Sequence, residues 1–355
     1  MGSSAGRSWI SGARLSLASN LAESPAWQPL VLDPAGDRAL LVRLTEAETR
    51  AASFLDERTL GAQTRAQWVP LPELIAAAAP LAVTHRAIFH IGHVGSTLIS
   101  RLLGEVPAFH ALREYAALRT LAEARTPESW WSEAQHTARA RALAALWSRV
   151  WRSGQTALIK ATSFASETAG QYLARADRPP ALFVHTAAGP YLATIFAQEG
   201  NRAEAATLAP ARLRRLHGRL GGPAFRLWEM SEGERIAMGW VSEMLTLAEA
   251  RGVAPGRVRW LDFEAFLSAL MPELVSAAAH LGAPIGDTDA AAIVAGPLMA
   301  RYSKGPEHEY SPQLRRDLLA QTAREHAGEI ARGLAWLERA TTHAPIAAAL
   351  EMVEG

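Results

Sequence analysis

Residues 92–97, Gly-His-Val-Gly-Ser-Thr, have the composition of an anion-binding loop. The apolar run at 87–91 before them predicts a buried strand, and the apolar residues that follow recur at helical spacing. Where a glycine-containing turn leads from a strand into a helix, backbone N–H groups and the positive end of the helix dipole converge on one point. The sequence therefore predicts an anion site here, and the alternative is an ordinary helix N-cap made by Ser96.

Three further residues have the right types and positions for chemistry at such a site. Lys160 and His185 each end an apolar run that predicts a strand, and ligands of parallel sheets bind beyond the carboxyl ends of the strands. Glu114 is the leading candidate for a general base, followed by His185 and His110. The alternatives are structural: a lysine that reaches the surface, an acid near a helix start and a histidine at the edge of the core.

The elements that must position these residues alternate from Arg86 onward, which is typical of an α/β fold. We expect a central parallel sheet of about four or five strands with helices on both faces and the strand at 87–91 near its centre. The predicted strands and helices are 87–91, 157–160, 181–185 and 258–261, and 96–103, 115–124, 132–151, 167–175, 232–251, 264–281 and 312–339.

The first 80 residues read as a separate N-terminal extension. Apolar runs at 30–32 and 39–44 flank the turn-forming residues 33–37, which predicts a β-hairpin, and a short helix follows Pro72. The sequence thus predicts an extension over 1–80 and an α/β domain with a C-terminal helix over 81–355.

Composition excludes several classes of function. The 36 basic and 35 acidic residues give a formal charge of +1, so nothing favours binding to nucleic acid. The chain has no cysteine, which rules out disulfides, thiol catalysis and thiolate metal sites and fits a reducing compartment. No apolar segment has the length of a membrane span, and no signal peptide is recognisable. We expect a cytoplasmic protein that contacts neither membrane nor nucleic acid.

The loop is not a Walker A motif, because no lysine follows either glycine. Gly-Ser-Thr-Leu at 95–98 instead resembles the 5′-phosphosulfate loop of the sulfotransferase family. Four later segments resemble other motifs of this family in matching order: Leu-Arg-Glu-Tyr at 112–115, Leu-Ile-Lys-Ala-Thr at 158–162, Val-Arg-Trp-Leu-Asp-Phe-Glu at 258–264 and Leu-Gly-Ala-Pro at 281–284.

The resemblance implies a divergent, bacterial-type sulfotransferase with a P-loop-type three-layer fold. Such an enzyme transfers a sulfuryl group from 3′-phosphoadenosine-5′-phosphosulfate (PAPS) to a hydroxyl or amine of a small-molecule acceptor, without a metal. Glu114, Lys160 and His185 are then the candidate catalytic residues. The candidate cofactor-binding residues are Gly92, His93, Val94, Gly95, Ser96, Thr97, Leu98, Thr186, Thr194, Arg301 and Lys304.

Two departures from the family bear on the donor. His93 and Val94 stand where the family has lysine or arginine, and Thr186 stands where it has an arginine that binds the 3′-phosphate, with Thr194 in place of a serine. A threonine cannot replace the bidentate contact of an arginine with phosphate. Two other functions therefore stay open, a nucleotide-dependent phosphotransferase and a non-catalytic nucleotide-binding protein of the same fold.

Overall fold

The computed structural model describes residues 21, 24–61, 63–124, 131–300 and 311–354, and these contain two β-sheets. Strands β1 (Trp27–Asp33), β2 (Arg38–Arg43) and β3 (Ala66–Pro70) form an antiparallel sheet in that order. The turn between β1 and β2 is closed by Asp33, whose Oδ1 accepts from the Gly36 N–H at 3.0 Å. The predicted hairpin is confirmed, and β3 adds a strand that the sequence did not indicate.

The second sheet has five strands in the order β5-β6-β4-β7-β8. They are β4 (Arg86–His90), β5 (Phe109–Arg113), β6 (Thr156–Lys160), β7 (Ala181–His185) and β8 (Val258–Asp262). Neighbours β4 and β7 are parallel, as are β7 and β8. The α/β fold with a central parallel sheet, and the central place of β4, are confirmed.

Helices follow or separate these strands along the chain. Their bounds are α1 Glu46–Ala51, α2 Leu71–Ala78, α3 Ser96–Gly104, α4 Ala116–Glu123, α5 Glu133–Trp147, α6 Ala169–Leu173, α7 Ala188–Phe196, α8 Glu199–Leu220, α9 Glu232–Val253, α10 Phe263–Ser268, α11 Leu270–His280, α12 Asp287–Val294, α13 Pro312–Glu325, α14 Ala327–Ala340 and α15 Ala344–Glu354. No helix of the described residues is long and apolar enough to cross a membrane.

Two stretches predicted as single helices are pairs of helices. The helical stretch expected over 264–281 breaks at Ala269, whose φ of −131° and ψ of 48° are not helical. Pro272 lacks the N–H that would bond to the Ser268 carbonyl in a continuous helix, so the chain restarts as α11. The stretch expected over 312–339 breaks at His326, whose φ of −110° and ψ of 22° are not helical and whose ring stacks on Phe196 at 4.7 Å between centroids.

The chain divides into two compact units, Met1–Arg86 with Pro107–Ile159 and Ala87–Val106 with Lys160–Gly355. In the first unit, Tyr115 stacks on Trp147 at 4.8 Å and its hydroxyl donates to Gln28 Oε1 at 2.6 Å. The Trp147 indole donates to the Pro29 carbonyl at 3.2 Å, so this aromatic pair joins β1 to α4 and α5. The domain boundary expected at residue 80 stays a prediction.

The second unit has an aromatic layer across three adjacent strands. Phe89, Phe183 and Trp260 are register neighbours on β4, β7 and β8. Their rings meet edge to face, at 5.9 Å between the first pair and 5.4 Å between the second. Phe183 is fully buried. Such burial makes the strand positions rigid, and the strand ends carry the loops considered next.

Candidate functional site

The turn between β4 and α3 has a left-handed backbone at three positions. Gly92 has a φ of 92°, His93 of 52° and Gly95 of 65°. A left-handed conformation is routine for glycine but uncommon for a residue with a side chain, so His93 is an exception at this turn. Gly95 occupies the N-cap of α3, and Ser96 is therefore the first residue of the helix and not its cap.

The start of α3 offers hydrogen-bond donors without a side-chain cap. The first bond of the helix runs from the Ile99 N–H to the Gly95 carbonyl at 3.2 Å, so the N–H groups of residues 96–98 precede the helical ladder. The Thr97 hydroxyl is buried and has no hydrogen-bond partner. An unpaired buried hydroxyl costs free energy, and an anion bound at this helix end would satisfy it.

His90 braces the turn from the strand side. Its Nδ1 accepts the Gly92 N–H at 3.0 Å, and its Nε2 lies 2.7 Å from the Ala161 carbonyl oxygen. Since a carbonyl can only accept, the proton must be on Nε2, and the ring is a neutral imidazole. The Ser166 hydroxyl donates to the His90 carbonyl at 3.1 Å. This histidine is structural, as its place in a strand indicates, and it positions the first glycine of the loop.

Lys160 ends β6 and is fully buried. The next residue, Ala161, donates its N–H to the Ile88 carbonyl at 2.9 Å, which sets the end of β6 beside β4. A buried ammonium group requires compensation by polar or negative groups. Lys160 belongs to the same compact unit as the loop, and a surface-reaching lysine, the alternative given above, does not fit a side chain with no exposure.

His185 ends β7 opposite Asp262, its register partner at the end of β8. Its Nδ1 lies 4.0 Å from Asp262 Oδ2, and its ring meets Trp260 edge-on at 5.4 Å. Burial lowers the pKa of His185, and the Asp262 carboxylate acts in the opposite direction. A histidine with a pKa below its ordinary value of about 6.5 is mainly neutral at pH 7 and can accept a proton.

Thr186 follows His185 and is almost fully buried. Its carbonyl accepts the Trp240 indole N–H at 3.0 Å, whereas its hydroxyl has no hydrogen-bond partner. The hydroxyl can donate to a ligand oxygen, but it brings no positive charge to that position.

An acid that the sequence did not indicate lies beside the loop. Glu204 on α8 places its Oε2 at 3.4 Å from His93 Nε2. A carboxylate near this helix start opposes anion binding unless a positive charge balances it. The side chains of Val94 and Leu98 are buried and apolar, so these two residues can reach a ligand only through their backbone.

Four candidates remain, two among the described residues and two outside them. Thr194 on α7 donates its hydroxyl hydrogen to the Pro190 carbonyl at 2.8 Å, within its own helix. Glu114 belongs to the first unit, between β5 and α4, and has a left-handed φ of 52°. Arg301 and Lys304 lie outside the described residues. The roles of all four residues stay predictions.

Two residues at the loop were missed by sequence reasoning. A Cβ on Gly92 would lie 3.1 Å from Ser163 Cβ, and a Cβ on Gly95 would lie 2.0 Å from the Phe263 ring. Both side chains therefore pack directly on the loop glycines. A signal was present, since Ser163 and Phe263 follow predicted strands by three and two residues. Among the described residues, no three His, Asp or Glu side chains group as metal ligands.

Comparison with solved structures finds chains that are similar to this one, among them two sulfotransferases. The sequence matches no protein-family model and no curated protein. A sulfotransferase domain from the curacin biosynthetic pathway is 10% identical to this chain, with a TM-score of 0.39. The alignment covers 70% of this chain and 98% of that domain. A sulfotransferase from Alicyclobacillus acidocaldarius is 15% identical with a TM-score of 0.35, covering 72% and 99%.

Proposed function

We propose that this chain is a sulfotransferase that moves a sulfuryl group from PAPS to a hydroxyl or amine of a small-molecule acceptor. One observation carries the proposal: the uncapped start of α3, where the buried Thr97 hydroxyl lacks a partner and Gly95 turns the backbone into the helix. The motifs that resemble those of sulfotransferases, in matching order along the chain, favour transfer of a sulfuryl group over transfer of a phosphoryl group.

The two ends of PAPS fit the described residues unequally. The helix start and the Thr97 hydroxyl suit the 5′-phosphosulfate, because they supply several neutral donors to a dispersed negative charge. At Thr186 a single hydroxyl can donate a hydrogen bond to the 3′-phosphate. This contact is weaker than the two charged hydrogen bonds that an arginine guanidinium makes with a phosphate. Recognition of the 3′-phosphate therefore falls to Arg301 and Lys304, the late basic residues that the resemblance implies.

When bound, PAPS supplies an activated sulfuryl group and a bisphosphate leaving group. The residues of the chain then have three tasks. The N–H groups at the start of α3 and the Thr97 hydroxyl hold the charged group in place. The buried Lys160 offsets negative charge that develops on the leaving oxygen. A base takes the proton of the acceptor; Glu114 is the base predicted from the sequence, and the neutral His185 is the second candidate.

The experiment that tests the anion site replaces Thr97 with valine, which keeps the shape and removes the hydroxyl. If the hydroxyl had no ligand, its removal would stabilise the fold by about 1 kcal/mol and leave anion affinity unchanged. We expect the stabilisation together with an affinity for adenosine 3′,5′-bisphosphate that is about tenfold weaker, measured by titration calorimetry.

Ser100 provides a matched control. It lies one turn along the same helix and also has a buried hydroxyl without a partner. Ser100→Ala should stabilise the fold without changing the affinity. If the native chain and both variants bound adenosine 3′,5′-bisphosphate equally well, the proposed anion site at Thr97 would be wrong. Binding of ATP with Mg²⁺ but not of adenosine 3′,5′-bisphosphate would favour a phosphotransferase, and binding of PAPS without turnover a non-catalytic protein.

A further inference from the structure

Three consecutive residues at the end of β8 reach three different parts of the second unit. The Asp262 carboxylate accepts the Ala265 N–H at 2.9 Å, which caps α10, and approaches His185 with its other oxygen. Phe263 packs on Gly95 of the loop. Glu264 forms an ion pair with Arg315 of α13 at 2.7 Å. The middle residue of the three therefore touches the proposed anion site.

The contact of Phe263 with the loop is made by the tip of the ring. A Cβ on residue 95 would lie 2.0 Å from Cε2 and from Cζ, and 2.5 Å from Cε1. No side chain fits there, and the left-handed φ of 65° independently favours glycine. Phe263 is almost fully buried. The ring thus occupies the space beside the residue at which loop turns into helix.

The face of the same ring is covered by a cation. The guanidinium carbon of Arg315 lies 5.0 Å from the ring centroid of Phe263. Its Nη1 donates a hydrogen bond to Glu264 Oε2 at 2.8 Å, and its Nη2 lies in ion-pair contact with Oε1 at 2.7 Å. This pair restricts the position of the guanidinium group, and a cation over an aromatic face is favourable. Arg315 and Glu264 therefore restrain the ring that restrains Gly95.

We propose that Phe263 is a positioning residue for the anion loop and that Arg315 and Glu264 hold it in place; this rests on the proposed function of the loop. The N–H groups of Ser96 and Thr97 bind an anion best when their direction is set before the ligand arrives. If Gly95 were mobile, the loop would have to become ordered when the ligand binds, and the loss of entropy would weaken the affinity. Phe263 removes that freedom without touching the ligand.

The test compares two leucine substitutions on the same helix. Phe263→Leu and Phe266→Leu each remove a buried phenyl ring from α10. We expect Phe263→Leu to weaken the affinity for adenosine 3′,5′-bisphosphate by about tenfold. Amide hydrogen exchange at residues 95–97 of the ligand-free chain should also accelerate. Phe266→Leu should lose stability but keep both the affinity and the exchange rates of the native chain.

A second pair of variants avoids the risk that a core substitution prevents folding. Arg315→Gln breaks the pair that holds the ring, whereas Arg259→Gln breaks a comparable pair with Glu273, 2.8 Å apart. Only Arg315→Gln should weaken the affinity and speed the exchange of the loop amides. The inference is overturned if Phe263→Leu behaves like its control Phe266→Leu and Arg315→Gln behaves like its control Arg259→Gln. Should the native chain bind no bisphosphate, the proposed function fails, and loop exchange alone then decides the role of Phe263.

Discussion

His110 is a buried histidine that this fold keeps neutral. It lies in the middle of β5, and its Nε2 is 3.3 Å from the Thr49 hydroxyl oxygen. Its Nδ1 is buried without a hydrogen-bond partner. Burial, with the nearby Arg50 charge second, lowers the pKa of His110 to about 4. This residue was the weakest of the three candidate bases, and its position within β5 indicates a structural role.

We expect His110 to make the stability of the chain depend on pH. Since its pKa is lower in the folded state than the unfolded value of about 6.5, its contribution is complete above that value and is lost as the pH falls to about 4. The difference in unfolding free energy between the native chain and His110→Gln should therefore fall by about 3 kcal/mol between pH 7 and pH 4. Denaturant titrations at the two pH values measure it.

Thr49→Val is the control for this titration, because it removes the hydroxyl near the ring and leaves the ring in place. The pH dependence should persist in this variant. A difference between native chain and His110→Gln that stays constant with pH would mean that His110 is protonated equally in both states.

Helices α9 and α14 of the second unit meet at two glycines. A Cβ on Gly233 would lie 1.9 Å from the Glu329 carbonyl oxygen, and a Cβ on Gly333 would lie 2.7 Å from the Gly233 carbonyl oxygen. The two backbones therefore touch. Because the backbones are this close, the Glu329 carboxylate can cap α9, and its Oε2 accepts the Gly233 N–H at 2.8 Å. Hydrogen bonds from Arg332 first, and then from Gly233, lower the pKa of Glu329 to about 2.

Glu329→Gln should destabilise the fold by about 1 kcal/mol at pH 7, the usual worth of a helix cap. The carboxylate has its lower pKa in the folded state, so its contribution is present above about 4.5 and is lost as the pH falls towards 2. Thermal unfolding at pH 7 and pH 3 should show the difference shrinking at the lower pH. Glu338→Gln, an exposed acid of the same helix, is the control and should have little effect at either pH.

A buried charge cluster joins α8 to α9 in the second unit. Arg212 Nε lies 3.0 Å from Glu243 Oε1, and their side chains are 4% and 0% exposed. Arg215 adds a contact to Glu167 at 3.3 Å, and the Thr246 hydroxyl donates to that carboxylate at 3.0 Å. Removing one member of a buried pair leaves the other charge without compensation, which costs more than the pair itself contributes.

Arg212→Met should destabilise the chain by about 3–5 kcal/mol, because Glu243 would be left buried without its main partner. The double variant Arg212→Met with Glu243→Leu should regain a large part of that loss, as measured by denaturant unfolding. Arg226→Met is the control, since its pair with Glu229 is exposed and such pairs are worth less than about 1 kcal/mol. A double variant no more stable than the single one would contradict this account.

Local patterns in the sequence determined the α/β class, the loop and four of the five strands of the parallel sheet. The apolar run at 87–91 and the helical spacing after Ser96 depend on neighbours only, so they were readable without coordinates. The strand at Phe109–Arg113 was not predicted, because His110 and Arg113 interrupt its apolar run. Both side chains are buried, and Arg113 Nε donates to the Ala52 carbonyl at 2.7 Å, a partner that no local pattern reveals.

Only the tertiary structure decided what surrounds the loop. Phe263 meets Gly95, and Glu204 meets His93, across more than a hundred residues of chain. These contacts follow from strand order and register, which bring the ends of β4, β7 and β8 to one edge of the sheet. Periodicity and composition report how one segment is buried but not which distant segment covers it. The sequence therefore predicted the anion loop, and the packing of the folded chain selected its neighbours.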